Sequence, residues 1–251
     1  MTIAITALKE KIRRKELYIV SVIGVMILLL LGTGSGSLSI NGTAITDYKL
    51  LAPILMIVVN AIACVLALAM SISTIPNEYE RNTSHLIWIR GISQARYHGE
   101  LAIANIVSGL LAEAILFGAM VVFMLSYDKG SEVWRLLPAF LIVGINMIIV
   151  SVLTSVCSIM FPKFVAGTIA IGIVLVGIFY SLLELFKDII GGFGGNMLKY
   201  ILKLVPNLHE IQTQAGNVLS GGNVDTHALW KGLLVAYILF VILLVWKRKE
   251  A

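Results

Sequence analysis

Apolar and polar positions fall in blocks along this chain rather than alternating singly. Apolar runs at about 17–38, 51–75, 101–125, 136–160, 164–186 and 228–246 are separated by shorter polar stretches. A bilayer core takes about 20 consecutive apolar residues as a helix, so the pattern predicts an all-α integral membrane protein with six transmembrane helices. The first run is the thinnest. Leu17 to Leu31 covers only about 22 Å at helical rise, and the Gly32-Thr33-Gly34-Ser35-Gly36-Ser37 stretch with Leu38 must supply the last turns. We read it as a permanent span rather than a secretory signal.

Three polar segments carry further structure. Residues 1–16 hold Lys9, Lys11, Arg13, Arg14 and Lys15 with Ile5, Leu8 and Ile12 at helical spacing, the pattern of an amphipathic helix lying on a membrane surface. A long polar interruption covers 76–100. Within it Asn82 can cap a short helix, Thr83 to Arg90, with a sticky surface of Leu86, Ile87, Trp88 and Ile89; Gly91 would end it, and Ser93 would cap the next helix. A plain connection needs only a few polar residues, so an apolar cluster flanked by Glu78, Glu80, Arg81 and Arg96 points to a partner protein. In 187–227, the spacing of Met197, Leu198, Ile201, Leu202 and Val205 before Pro206-Asn207 predicts a helix lying on or dipping into the membrane.

Composition agrees and charge adds orientation. The chain is 59% hydrophobic and only 13% charged over 251 residues, which leaves one membrane domain and no second folded unit. With both termini inside, the inner segments hold twelve of the nineteen Lys and Arg residues, so the K/R bias places both termini and 76–100 in the cytoplasm of a cell-membrane protein. The net charge of +5 is explained by this topology without nucleic acid. Cys64 and Cys157 fall inside apolar runs, where no disulfide framework or metal site is expected.

Candidate chemistry is sparse. Glu113 lies midway along the third span, where a carboxylate is costly and either functional or hydrogen-bonded; with Asn105 it is a candidate pathway residue. His85, His98, His209 and His227 fall in connections and read as solvated. No catalytic cluster stands out.

Glu80-Arg81-Asn82-Thr83 through Arg90-Gly91-Ile92-Ser93-Gln94-Ala95-Arg96 resembles the cytoplasmic coupling segment of type-two ABC exporter permeases. The basic amino-terminal helix, the six spans and an outer re-entrant segment ending in Leu-Val-Pro-Asn are also similar to that family. Asn82 and Ser84 depart from its Gly and Leu, Gly91 replaces its proline, and Glu100 stands where a lysine is frequent. The resemblance implies a permease that dimerises and docks cytoplasmic ATPase subunits through Glu78, Glu80, Arg81, Thr83, Leu86, Trp88, Arg90, Gly91, Ser93 and Arg96, with Lys11, Arg13 and Arg14 on the interface helix. The chain contains no Gly-x-x-x-x-Gly-Lys-Ser/Thr loop, so ATP and Mg belong to a partner chain and no cofactor is expected on this one. An amphipathic peptide, lipid-like molecule or drug is the expected cargo. An ion-coupled secondary transporter using Glu113 is the alternative, and an intramembrane hydrolase a more remote one.

Overall fold

The computed structural model describes residues 2–13, 15, 18, 22, 25–26, 39–40, 43–44, 48–80, 91–126 and 128–247. The first expected span and residues 81–90 therefore lie outside the described residues, apart from isolated positions in the former. The elements are α1 (Thr2–Arg13), β1 (Ser39–Ile40), β2 (Thr43–Ala44), α2 (Tyr48–Ile72), α3 (Thr74–Glu80), α4 (Gln94–Ser126), a 3-10 turn (Gly130–Arg135), α5 (Leu136–Met160), α6 (Lys163–Ile178), α7 (Tyr180–Ile190), α8 (Gly192–Leu204), α9 (Leu208–Ser220) and α10 (Thr226–Val245). β1 and β2 form only a two-residue antiparallel ladder, Ser39 opposite Ala44.

Among the described residues four helices are long and apolar enough to cross a membrane: α2 with α3, α4, the 3-10 turn with α5, and α10. The bent pair α6 and α7 makes a fifth if it is one span. This all-helical, apolar architecture is compatible with a multi-pass membrane protein.

Proline shapes the end of α2, although not where the sequence places the stop. The helix breaks at Ser73 and restarts as α3, with Pro76 inside its first turn. Proline has no N–H to give the carbonyl four residues back, which is that of Ile72. Ser158 on α5 donates its hydroxyl to this Ile72 oxygen at 3.3 Å, so the freed acceptor is satisfied across helices.

The expected straight span at 164–186 is instead bent by 76° at Phe179. Two residues before the bend the helix is closely crossed, since an added Cβ on Gly177 would stand 2.7 Å from the Pro206 carbonyl oxygen and 2.9 Å from Leu208 Cγ. Only a residue without a side chain lets the 206–208 corner cross here. Gly177→Ala is therefore expected to lower stability by about 1–3 kcal/mol, since backbone cannot yield cheaply. Gly172, on the same helix with open space around it, is the control: Gly172→Ala is expected to be neutral or to gain up to about 1 kcal/mol from helix propensity. Thermal unfolding of the purified chain compares the two.

Beyond the bend, α8 starts at Gly192, earlier than the apolar spacing indicates, and α9 is an additional helix. Helix α9 folds back on the bundle and packs between α2 and α5, burying Leu208, Ile211, Ala215 and Leu219. Helices α2, α4 and α5 form the centre of the core, with α6, α9 and α10 around them. Small residues make the centre close: an added Cβ on Gly109 would meet Ser151 Oγ at 3.3 Å and Ala67 Cβ at 3.4 Å. Ala63, Ala67, Ser71, Ser151, Ser155, Ala166 and Ala170 are all buried in this packing, whereas Ala114 and Gly118 face outward.

Candidate functional site

Two ends of the bundle can be told apart by their contacts. One, called proximal here, gathers α1, α3, the start of α4, the end of α5 and the end of α10 around Ile75, Tyr97, Leu101, Val152, Ile159 and Leu243. The distal end brings Arg135 to α9, its Nη1 donating to the Leu219 carbonyl at 3.3 Å.

At the proximal end the flanks of the 76–100 segment are held firmly. Tyr97 Oη donates to Glu78 Oε2 at 2.9 Å, and the Tyr79 hydroxyl lies 2.8 Å from His98 Nε2, so α3 is bonded to α4. Lys163 Nζ donates to Asn77 Oδ1 at 3.1 Å and adds the α5–α6 turn. Ser93 caps α4, its hydroxyl accepting from Arg96 N at 3.4 Å. Gly91 has φ of +73°, a left-handed conformation that costs glycine little. Glu80 is exposed at the end of α3, and Arg96 is exposed while pairing with Glu100 at 3.2 Å. Arg81, Thr83, Leu86, Trp88 and Arg90 lie outside the described residues, as does Arg14. The structure thus brings Glu78 and Ser93 into one bonded frame with Tyr79, Tyr97, His98 and Lys163.

Helix α1 belongs to this frame. The sequence places it on a membrane surface through Ile5, Leu8 and Ile12, but the stripe that meets the bundle is Ile3, Ala7 and Lys11, one helical face over. Glu100 caps it, its Oε2 accepting from the N–H groups of Ile3 at 3.1 Å and Ala4 at 3.4 Å. At its other end Lys11 is buried. The ammonium donates to the Met70 carbonyl at 2.8 Å, to Ser108 Oγ at 3.3 Å and to Asn105 Oδ1. Three oxygens from two helices replace the water the ammonium gives up, which is what a buried charge requires. Ile5 and Arg13 remain exposed.

Asn105 is the first rung of a polar ladder through the core. Its Oδ1 also accepts from Thr74 Oγ1 at 2.8 Å and its Nδ2 donates to Ser155 Oγ at 2.9 Å, joining α3, α4 and α5. One turn along is the Gly109, Ser151 and Ala67 contact. A further turn brings Glu113, fully buried, against Gly144, where an added Cβ would lie 3.7 Å from Oε2. Neither carboxyl oxygen of Glu113 has a hydrogen-bond partner among the described residues.

Distal to it runs a relay of amides. Asn146 Nδ2 donates to Asn60 Oδ1 at 2.9 Å and to the Leu208 carbonyl at 3.0 Å; Asn60 Nδ2 donates to Gln212 Oε1 at 2.7 Å; Gln212 Nε2 then faces His209 Nδ1 at 3.0 Å. The chain of donors assigns Nδ1 as the acceptor, and so seats α9 on α2 and α5.

The solvated reading holds for exposed His227 but not for His98, which is fully buried, or for half-buried His209. Burial holds the imidazole of His209 below its ordinary value of 6.5. The unfolded chain then binds more protons than the folded one, so stability falls as the pH drops below the ordinary histidine value. Protonation would also turn Nδ1 into a donor facing the Gln212 amide. Lowering the pH from about 7.5 to about 5 is therefore expected to raise amide hydrogen exchange across 208–220, and His209→Gln to flatten that dependence.

Cys64 and Cys157 are free and buried, and no group of three or more His, Cys, Asp or Glu side chains suited to a metal occurs among the described residues. No protein-family model matches the chain, and no curated protein matches it.

Proposed function

We propose that this chain is the membrane subunit of an ATP-driven exporter, moved by a separate ATP-binding partner that docks on 76–100. The observation that carries the reading is the bonded frame at the proximal end. Helix α3, the start of α4, the α5–α6 turn and α1 are tied by side-chain hydrogen bonds, so a push on the segment between Glu80 and Gly91 reaches several membrane helices together. A loop that only connected two spans would need no such bracing.

In this reading six spans cross the membrane, the first being the run at 17–38, with both termini and the 76–100 segment cytoplasmic. Residues 83–90 form a coupling helix and α1 an interface helix. The bent pair α6 and α7 is the fifth span, and α8 and α9 form the outer re-entrant segment. Two such permeases enclose the path for an amphipathic cargo, and ATP with Mg stays on the partner. Asn105 is held in the Lys11 network, which makes it a structural node. Among the described residues neither oxygen of Glu113 has a donor, so it is a core carboxylate able to respond to a cargo or a proton.

Charge reversal at the exposed end of α3 tests this. Glu80→Lys combined with Arg81→Glu is expected to reduce ATP-dependent transport and transport-linked ATP hydrolysis by about tenfold or more, equivalent to the loss of about 1.4 kcal/mol of coupling or greater. Unchanged transport and hydrolysis in the reconstituted complex would remove the segment from the mechanism.

The ion-coupled reading keeps one observation in its favour, the same lone Glu113. Transport by the chain alone under a proton gradient would establish it.

A further inference from the structure

A cleft of about 400 Å³ opens on the flank of the distal end between α9 and α10. Its volume is that of a small-ligand site. The walls are apolar, from Ile149, Val205, Pro206, Ile211, Leu234 and Val235, and the polar groups are few: Asn207, Glu210, His227 and Lys231. Depth along α10 follows from its ends. Leu244 packs against Gly99 at the proximal end, so Thr226 to Lys231 lies at the opposite boundary of the bundle.

Three observations narrow the occupant. Trp230 lines the cleft yet is 70% exposed, and Trp134 at the same end is 68% exposed, the placement of aromatic side chains at a membrane–water boundary. Lys231 has no carboxylate partner among the described residues. Glu210, the first-turn acid of α9, accepts from Asn207 Nδ2 at 3.2 Å through Oε2 only, which leaves Oε1 available. A cation and an anion therefore stand at the polar lip of an apolar slot, with an interfacial tryptophan beside them.

We infer that the α9–α10 cleft holds one zwitterionic phospholipid with a primary-amine headgroup. Its acyl chain fills the slot along Ile149, Leu234 and Val235; its phosphate pairs with Lys231 and its ammonium donates to Glu210. An ammonium with N–H groups can hydrogen-bond a carboxylate, whereas a trimethylated one cannot, so phosphatidylethanolamine is preferred over phosphatidylcholine. A purely anionic headgroup would leave Glu210 facing like charge, which disfavours phosphatidylglycerol. The inference needs only the membrane setting and stands apart from the exporter reading.

The test uses the full chain with its co-purifying partners, transferred to nanodiscs of phosphatidylethanolamine, phosphatidylcholine or phosphatidylglycerol and then delipidated. Native mass spectrometry is expected to retain one phosphatidylethanolamine per chain, at least fivefold above either other lipid, with retention falling about fivefold in Lys231→Gln and in Glu210→Gln. A retained lipid brominated on its acyl chain is expected to quench the fluorescence lost in Trp230→Phe. Folding of each variant is checked by its thermal midpoint, and His227→Gln serves as a comparison at the same lip. Equal retention of the three lipids, retention indifferent to Lys231→Gln, or bromine that spares Trp230 would each overturn the assignment.

Discussion

Lys11→Glu is expected to destabilise the chain by about 3–5 kcal/mol and to release α1 from the bundle. The present ammonium gives hydrogens to the Met70 carbonyl, Ser108 Oγ and Asn105 Oδ1. A carboxylate at the same place would face two oxygens that can only accept. Lys11→Met keeps the apolar stem and removes only the donors, for which the cost of unsatisfied groups predicts about 1–3 kcal/mol. The loss is limited because the single Thr74 hydroxyl hydrogen can still go to one of the two, Met70 O at 3.0 Å or Asn105 Oδ1 at 2.8 Å. Lys9→Glu, at an exposed position of the same helix, should stay within about 0.5 kcal/mol. Thermal unfolding measures the order, and limited proteolysis near Arg13 reports whether α1 has come away. Equal effects at positions 9 and 11 would mean that α1 senses charge in general rather than this pocket.

The second large effect has the opposite sign for stability and for transport. Glu113 is fully buried between α4 and α5 with neither carboxyl oxygen bonded among the described residues. An apolar side chain of similar volume removes an unsatisfied polar group, so Glu113→Leu is expected to stabilise the fold by about 1–3 kcal/mol. Under the proposed function the same change abolishes cargo movement, as happens where a site is kept at the expense of stability. Glu113→Gln separates the requirements, since it retains polarity while losing the ability to exchange a proton. A raised thermal midpoint with transport intact would make Glu113 neutral to the mechanism, and a lowered midpoint would mean that the carboxyl has a structural partner.

The parts of the fold legible in the sequence are those decided by the solvent each residue prefers. The apolar runs at 51–75, 101–125, 136–160 and 228–246 became α2, α4, α5 and α10, because a continuous apolar stretch has no competing way to satisfy its backbone in lipid. Ser93 was readable as a cap for the same local reason.

What was not legible depended on residues far apart in the chain. Lys11 looks like a membrane-surface lysine until Met70, Asn105 and Ser108 are brought beside it. The bend at Phe179 lies two residues beyond Gly177, where the 206–208 corner, far along the chain, crosses the helix. His98 and His209 read as solvated because the tyrosine and glutamine that meet them lie on other turns or helices.

Helix α9 did have a signal that went unused. Asn207 followed three residues later by Glu210 is a capping pattern, and the Asn207 side chain does accept from Glu210 N at 3.0 Å. Leu208, Ile211, Ala215 and Leu219 then repeat at helical spacing, and Gly221 closes the helix with φ of +78°.

The central claim is that force enters through residues 83–90, and a cysteine at Trp88 reports on it most directly. The two natural thiols, Cys64 and Cys157, are buried, so a Trp88→Cys chain cross-linked in native membranes has little background. The account predicts one covalent adduct with an ATP-binding chain, its yield changing when ATP and Mg are added. No adduct from any position between 83 and 90, in membranes where the chain still transports, would contradict it.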